Sequence, residues 1–131
     1  MKCKREQLFG SWFRQEVDQQ GIEHSEYANF TEDGSFEFTF ISAQQGHVLE
    51  QSVEYGAWGL VGDVHFTITE SELIDEEYYD ADLTHEDNYH VYKVLQLNVH
   101  FFEYQHIVSK EIYLLKRTMT TTSYSNTSQL C

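Results

Sequence analysis

Glu32-Asp33-Gly34-Ser35-Phe36-Glu37-Phe38-Thr39-Phe40-Ile41-Ser42-Ala43 decides the fold class. Phe36, Phe38 and Phe40 alternate with Glu37 and Thr39, the period-two pattern of a half-buried strand. Asp33-Gly34 ahead of it provides the residues that tolerate positive φ in a tight hairpin turn. A strand over 35–43 that opens from such a turn calls for an antiparallel partner just upstream, and residues 22–31 supply one.

The pattern continues outward in both directions. Upstream, Asp18-Gln19-Gln20-Gly21 turns the chain into a first strand over 8–17. Downstream, Gln44-Gln45-Gly46 leads to 47–61, long enough for one bent strand, with Gly56 and Gly59 around Trp58 marking a bulge or corner. Gly62-Asp63 then turns into 64–69, where Val64, Phe66 and Ile68 share a face. Three more strands are expected over 89–97, 100–108 and 110–117. Glycines at 21, 34, 46 and 62 mark turns about a dozen residues apart, which describes an all-β meander, closed as a barrel or folded as a sandwich. Helical signal is confined to one short turn over 4–9, because no segment holds a 3.6-residue apolar period.

The chain has 131 residues, one domain's worth, and 15% are aromatic, which favours strands. It carries 22 acidic residues against eight basic ones. No Lys or Arg lies between Arg14 and Lys93, and 19 of the acids do. Such a surface repels phosphate backbones, so neither nucleic acid nor an anionic membrane is expected as a partner. Residues 70–87 hold nine acids and no base and read as the longest loop. Domain limits are expected at 1–117, followed by a flexible polar tail over 118–131. Charges without an apolar run at Met1-Lys2-Cys3-Lys4-Arg5-Glu6 argue against a signal peptide. With Cys3 and Cys131 read as free thiols, a cytoplasmic location is expected; a disulfide tying the ends would need an oxidising compartment.

Two further features belong together: Gly10-Ser11-Trp12 within Leu8-Phe9-Gly10-Ser11-Trp12, and Arg117 after Ile112-Tyr113-Leu114-Leu115-Lys116. In combination they resemble the lipocalin-like, or calycin, superfamily over residues 8–117. The resemblance implies an up-and-down antiparallel barrel of about eight strands, with Gly10 and Trp12 at its base and Arg117 packed over the indole. First and last strands adjoin when a sheet closes, and a guanidinium stacks well on an indole face. The T-D-Y-type motif and disulfides of secreted lipocalins are missing. Between Val17 and Ile22 there is no room for the helix pair of fatty-acid-binding proteins. A small bacterial-type lipocalin-like domain is the resulting expectation.

The function this implies is non-enzymatic binding of a small apolar or amphipathic molecule, without a cofactor. The alternative is a filled barrel that contacts proteins through its acidic surface or outer strands. Phe36, Phe38, Phe40, Trp58, Phe66 and Tyr104 are the candidate lining, as core filling or as cavity wall. Arg14 shares the Trp12 face; it either pairs with Glu16, sits on the rim, or anchors a ligand carboxylate. No nucleophile, base and orienting-acid pattern points to an enzyme. Seven histidines show no strong metal spacing, though His90 and His106 can meet across strands. Asp75, Glu77, Asp80 and Asp82 lack the glycine and spacing of an EF-hand, and no metal site is assigned. Strands six to eight are apolar on both faces, which predicts either a homodimer or coverage by the tail or long loop.

Overall fold

The computed structural model describes residues 3–118; the polar tail from residue 119 onward lies outside them. Nine strands follow a short 3-10 turn at Arg5–Leu8: β1 Gly10–Val17, β2 Glu23–Phe30, β3 Ser35–Gln44, β4 His47–Val61, β5 Val64–Ile74, β6 Glu77–Asp80, β7 Tyr89–Leu97, β8 Phe101–His106 and β9 Ile112–Arg117. Every pairing is antiparallel. Eight strands close a ring in the order β1-β2-β3-β4-β5-β7-β8-β9, and β9 returns to β1 with Trp12 opposite Arg117. The ninth strand, β6, pairs only with the Ser71–Ile74 end of β5, beyond the point where β7 leaves it.

Closure depends on one side chain. The Arg117 guanidinium lies 4.1 Å from the Trp12 ring centroid. Its Nε donates to the Val99 carbonyl at 2.9 Å, Nη1 to Phe9 at 2.7 Å and Nη2 to Gln7 at 2.6 Å. A planar fork with several donors suits this position, where three carbonyls from two chain segments converge on an aromatic face. Beneath it, Trp12 donates Nε1–H to the Leu8 carbonyl at 3.0 Å, which ties the 3-10 turn across the barrel's end.

The apolar core fills that end. Leu8, Trp12, Leu97, Phe102 and Leu115 are fully buried, and Phe30, Phe36 and Trp58 nearly so. Phe30 meets Trp58 edge-on at 5.3 Å and Phe102 at 6.3 Å, the geometry that aromatic quadrupoles favour. Trp58 is held by Nε1–H to the Thr31 carbonyl at 3.1 Å and covered outside by Arg5 at 4.8 Å. At Gly56, where β4 and β5 slip register by one residue, a Cβ would lie 1.9 Å from the Ile68 carbonyl oxygen. Only glycine lets the two backbones approach that closely.

Three expectations are corrected. The acidic segment 70–87 is not one loop: β5 runs on to Ile74 and turns through Asp75 and Glu76, both at positive φ, into β6. Two successive positive-φ residues define the hairpin turn whose twist matches its strands, and Asp-Glu is an unusual pair to fill it. Cys3 is not a free thiol but disulfide-bonded, and the sequence has one other cysteine, Cys131, which lies outside the described residues. Cys3 bonds the Gly62 carbonyl and Thr118 bonds that of Ser11, so both ends of the described chain reach the closed end of the barrel. Finally, Phe66 does not face the interior. It lies across Gly59, where a Cβ would come within 2.2 Å of its ring.

The inward face of the last strands is Tyr92, Val94 and Leu97, Phe102 and Tyr104, Tyr113 and Leu115. A register shift between Val94 and Gln96 brings Leu97 to the inside. Outward lie Val64, Tyr89, Ile112 and Leu114, all exposed.

Replacing Arg117 with leucine removes the donors for three carbonyls and the cation over Trp12. A loss on the order of 3 kcal/mol is expected in urea unfolding, since hydrogen bonds to charged groups contribute about 1.5–3 kcal/mol each and relaxation recovers part. A loss below about 1 kcal/mol would show that closure does not depend on this residue.

Candidate functional site

Above the apolar base the interior changes character. A cavity of about 230 Å³ is lined by aromatic rings of Phe30, Phe38, Phe40, Tyr92, Tyr104 and Tyr113, and by polar groups of Arg14, Glu26, Glu54, His65, Thr67, Thr69 and His90. Next to it, a recess of about 280 Å³ shares Arg14, Glu26 and Phe40 and adds Glu16, His24 and Ser42. A larger hollow of about 490 Å³ sits between Gln51–Val53 and the β5–β6 turn, but no aromatic ring or histidine lines it.

The register explains how the polar groups come to face inward. Arg14 pairs with Glu26, and Glu26 with Phe40, so these three side chains project to the same side. Phe38 stands opposite Glu54. Gly62-Asp63 is a two-residue turn with Val61 opposite Val64, which sets Leu60 against His65 and Trp58 against Thr67. Once Trp58 is inside, His65 and Thr67 are inside too, and Phe66 and Ile68 are not. The sequence contained that signal, but alternation within β5 alone favours the apolar set.

Arg14 makes a 3.2 Å ion pair from Nε to Glu26 Oε1 and a longer one, 3.7 Å, from Nη1 to Glu16. Its guanidinium also lies 5.1 Å from the Tyr113 ring centroid. Although burial costs that guanidinium, Glu26 and then Glu16 outweigh it and hold Arg14 above its ordinary pKa. Burial pushes the Glu26 carboxyl up, against the pull of Arg14.

Glu54 differs. No hydrogen bond or ion pair satisfies its carboxyl among the described residues, and its pKa is pushed up to about 7, first by burial and then by the Glu72 and Glu26 carboxylates. Tyr92, Tyr104 and Tyr113 are all raised, chiefly by burial, Tyr113 to about 12. They are neutral phenols at neutral pH.

His65 forms the floor. It is fully buried, stacked on Tyr92 at 5.6 Å and edge-on to Phe30 and Phe102 at 5.3 and 5.4 Å. Burial pushes its pKa down to about 4, so the ring is neutral. Nδ1 lies 3.1 Å from the Gly59 carbonyl, which can only accept; Nδ1 therefore carries the proton and Nε2 keeps its lone pair. Nearer the mouth, His90 and His106 meet with Nδ1 3.4 Å from Nε2. His106 Nδ1 accepts from the Val108 and Ser109 amides, so its Nε2 is the donor to His90. Burial, and then His106, lower the His90 pKa. Among the described residues no three His, Cys, Asp or Glu side chains form a group that could hold a metal ion.

Of the seven lining residues expected from sequence, Arg14, Phe38, Phe40 and Tyr104 meet in the cavity. Phe36 and Trp58 belong to the apolar base and Phe66 to the outside. Glu26, Glu54, His65, Thr67 and Thr69 were not expected there. Gly10 has φ 109°, Trp12 is fully buried, and Arg117 covers it.

The fold and site together define a closed eight-stranded barrel with an aromatic, partly polar internal cavity, an architecture compatible with the lipocalin-like fold. Comparisons with protein-family models, curated proteins and solved structures give no match to this chain. No helix among the described residues is long and apolar enough to cross a membrane.

Glu54→Gln tests the electrostatics of the cavity. A carboxyl raised to about 7 in the fold from an ordinary 4.5 is least costly when protonated. Stability from the native form is therefore full below about 4.5 and declines as pH rises through 7. The variant is expected to raise Tm at pH 8 and to leave it nearly unchanged at pH 5. Equal Tm shifts at both pH values would contradict this assignment.

Proposed function

We propose that this protein is a lipocalin-like, non-enzymatic barrel that binds a small amphipathic molecule in its central cavity. The observation that carries the reading is the cavity itself: rings on its walls and a few convergent polar groups, over a sealed apolar base. Apolar walls with sparse, directed polar groups are what small-molecule sites generally have. At about 230 Å³ the space lies below the roughly 300–1,000 Å³ of sites for drug-sized ligands, which points to a smaller compound. Phe38, Phe40 and Tyr104 supply apolar contact, while Arg14, Glu26 and Glu54 orient the polar end.

The disulfide at Cys3 favours an oxidising compartment over the cytoplasm, because thiols stay reduced in the latter. Cys3 is expected to resist alkylation in unfolded protein until a reductant is added; labelling without reductant would remove the argument for an oxidising compartment.

A library of small amphipathic compounds screened by thermal shift tests the binding function. Hits that raise Tm should lose their effect when Thr67→Phe fills the cavity in a variant that remains folded by circular dichroism. Shifts that persist in that variant would move binding elsewhere.

The exposed apolar side chains of Tyr89, Ile112 and Leu114, with Val64 on the adjoining β5, favour a second element of this reading, a two-fold dimer through the outer face of β7, β8 and β9. Lys93 and Lys116 lie on these strands with Glu103, away from the acidic β5–β6 hairpin, so repulsion between copies is weaker there. Light scattering should show a mass that rises with micromolar concentration; a constant monomer mass would remove the dimer.

A further inference from the structure

The charge inside the cavity is unbalanced. Among the described residues Arg14 is its only arginine or lysine, and Glu26 and Glu16 already engage it. Glu54 is left over, in β4, with β3 between it and the Glu26 strand β2. The charged or titratable groups facing it are Glu72 on β5, Glu26 on β2 and Tyr92 on β7. None of these is a cation. His65 Nε2 adds a second acceptor, and the buried Tyr104 stacks on Tyr113 at 5.4 Å. The site is thus rich in acceptors and ring faces and poor in positive charge.

The surface repeats the bias along the barrel axis. The turns and strand ends around the open end carry the exposed acids Asp18, Glu23, Glu50, Asp75 and Glu76, with Lys110 on the β8–β9 turn among them. The closed end is mixed, with Lys4, Arg5, Lys93, Lys116 and Arg117 beside the exposed acids Glu6, Glu32 and Asp33. A mouth whose charges are mainly acidic draws cations toward it.

We propose that the cavity takes a small organic cation, an amine whose ammonium pairs with Glu54 while its apolar body lies against Phe38, Phe40, Tyr92 and Tyr104. The ammonium donates to the Glu54 carboxylate and lies within reach of tyrosine ring faces, which attract desolvated cations. Binding supplies the partner that Glu54 lacks. The amine therefore binds best where that carboxyl is ionised, and its affinity falls as acid protonates the site. This inference rests on the binding function proposed above and names its ligand class.

Three probes with one ring and different charge separate the cases: phenethylamine, 2-phenylethanol and phenylacetate, titrated by calorimetry against the full chain at pH 8 and pH 5.5. The amine keeps its proton throughout this range, as alkylammonium groups do. The amine alone should bind at pH 8, about tenfold or more tightly than at pH 5.5, and Glu54→Gln should cost about tenfold at pH 8, the effect of one charged hydrogen bond. In that variant the pH dependence should vanish. Equal binding of the alcohol would overturn the cation and leave the binding function standing. Preference for phenylacetate would do the same and make Arg14 the anchor. An amine affinity unchanged in Glu54→Gln would remove Glu54 from the site. Binding by none of the three at millimolar concentration would overturn both the ligand class and the binding function.

Discussion

Arg117 lying over Trp12 is the contact on which the rest of the architecture depends. Eight antiparallel strands can form an open sheet with two exposed edges or a closed ring with none, and exposed edges invite pairing with other chains. Here β1 and β9 share only two register pairs, Trp12 with Arg117 and Phe13 with Lys116. So short a ladder is a weak seam by backbone hydrogen bonds alone. The guanidinium strengthens it by binding carbonyls on both sides, Gln7 and Phe9 before β1 and Val99 before β8.

Closure at one end also divides the interior. The seam, the 3-10 turn and the indoles of Trp12 and Trp58 seal an apolar base of fully buried rings and aliphatic chains. Toward the other end the same strands present Arg14, Glu26, Glu54, His65 and the threonines of β5. Buried polar groups are tolerable only where partners or water reach them, and no deeply buried side-chain nitrogen or oxygen lacks a partner among the described residues. The inward polar groups thus mark an interior built around a space, whereas a barrel meant to be filled would place aliphatic side chains there. His65 sits at the boundary, with rings around it and one nitrogen committed to the Gly59 carbonyl.

How much of this was legible in the sequence follows the same division. The glycine-marked turns and the alternation over 35–43 led directly to the all-β meander, and the strands that form correspond closely to those expected, apart from β6. β6 escaped notice because Asp75 and Glu76 turn the chain without a glycine. The cavity was half legible. Phe38, Phe40 and Arg14 could be placed from their own strands, whereas Tyr104 lies on a strand apolar on both faces whose inner side the sequence left open. Phe66 was misplaced because its strand alternates strongly and the apolar set is the natural choice for an interior. In this barrel the outer face of β5 is the apolar one, since Phe66 covers the bare backbone at Gly59 while His65, Thr67 and Thr69 face the cavity. Only register, carried across the Gly62-Asp63 turn from Trp58, assigns that strand correctly.

The central claim is that the barrel is closed over an apolar base and holds an unfilled, polar-walled space above it. A crystal structure of the full chain, purified without added ligand, tests it most directly. The account predicts ordered water or a small molecule in density among Glu54, Tyr92 and Tyr104, with Arg14 still paired to Glu26. It would be contradicted by an interior in which the tyrosine and phenylalanine rings have closed the space completely, or by Arg117 standing away from Trp12 with β1 and β9 apart.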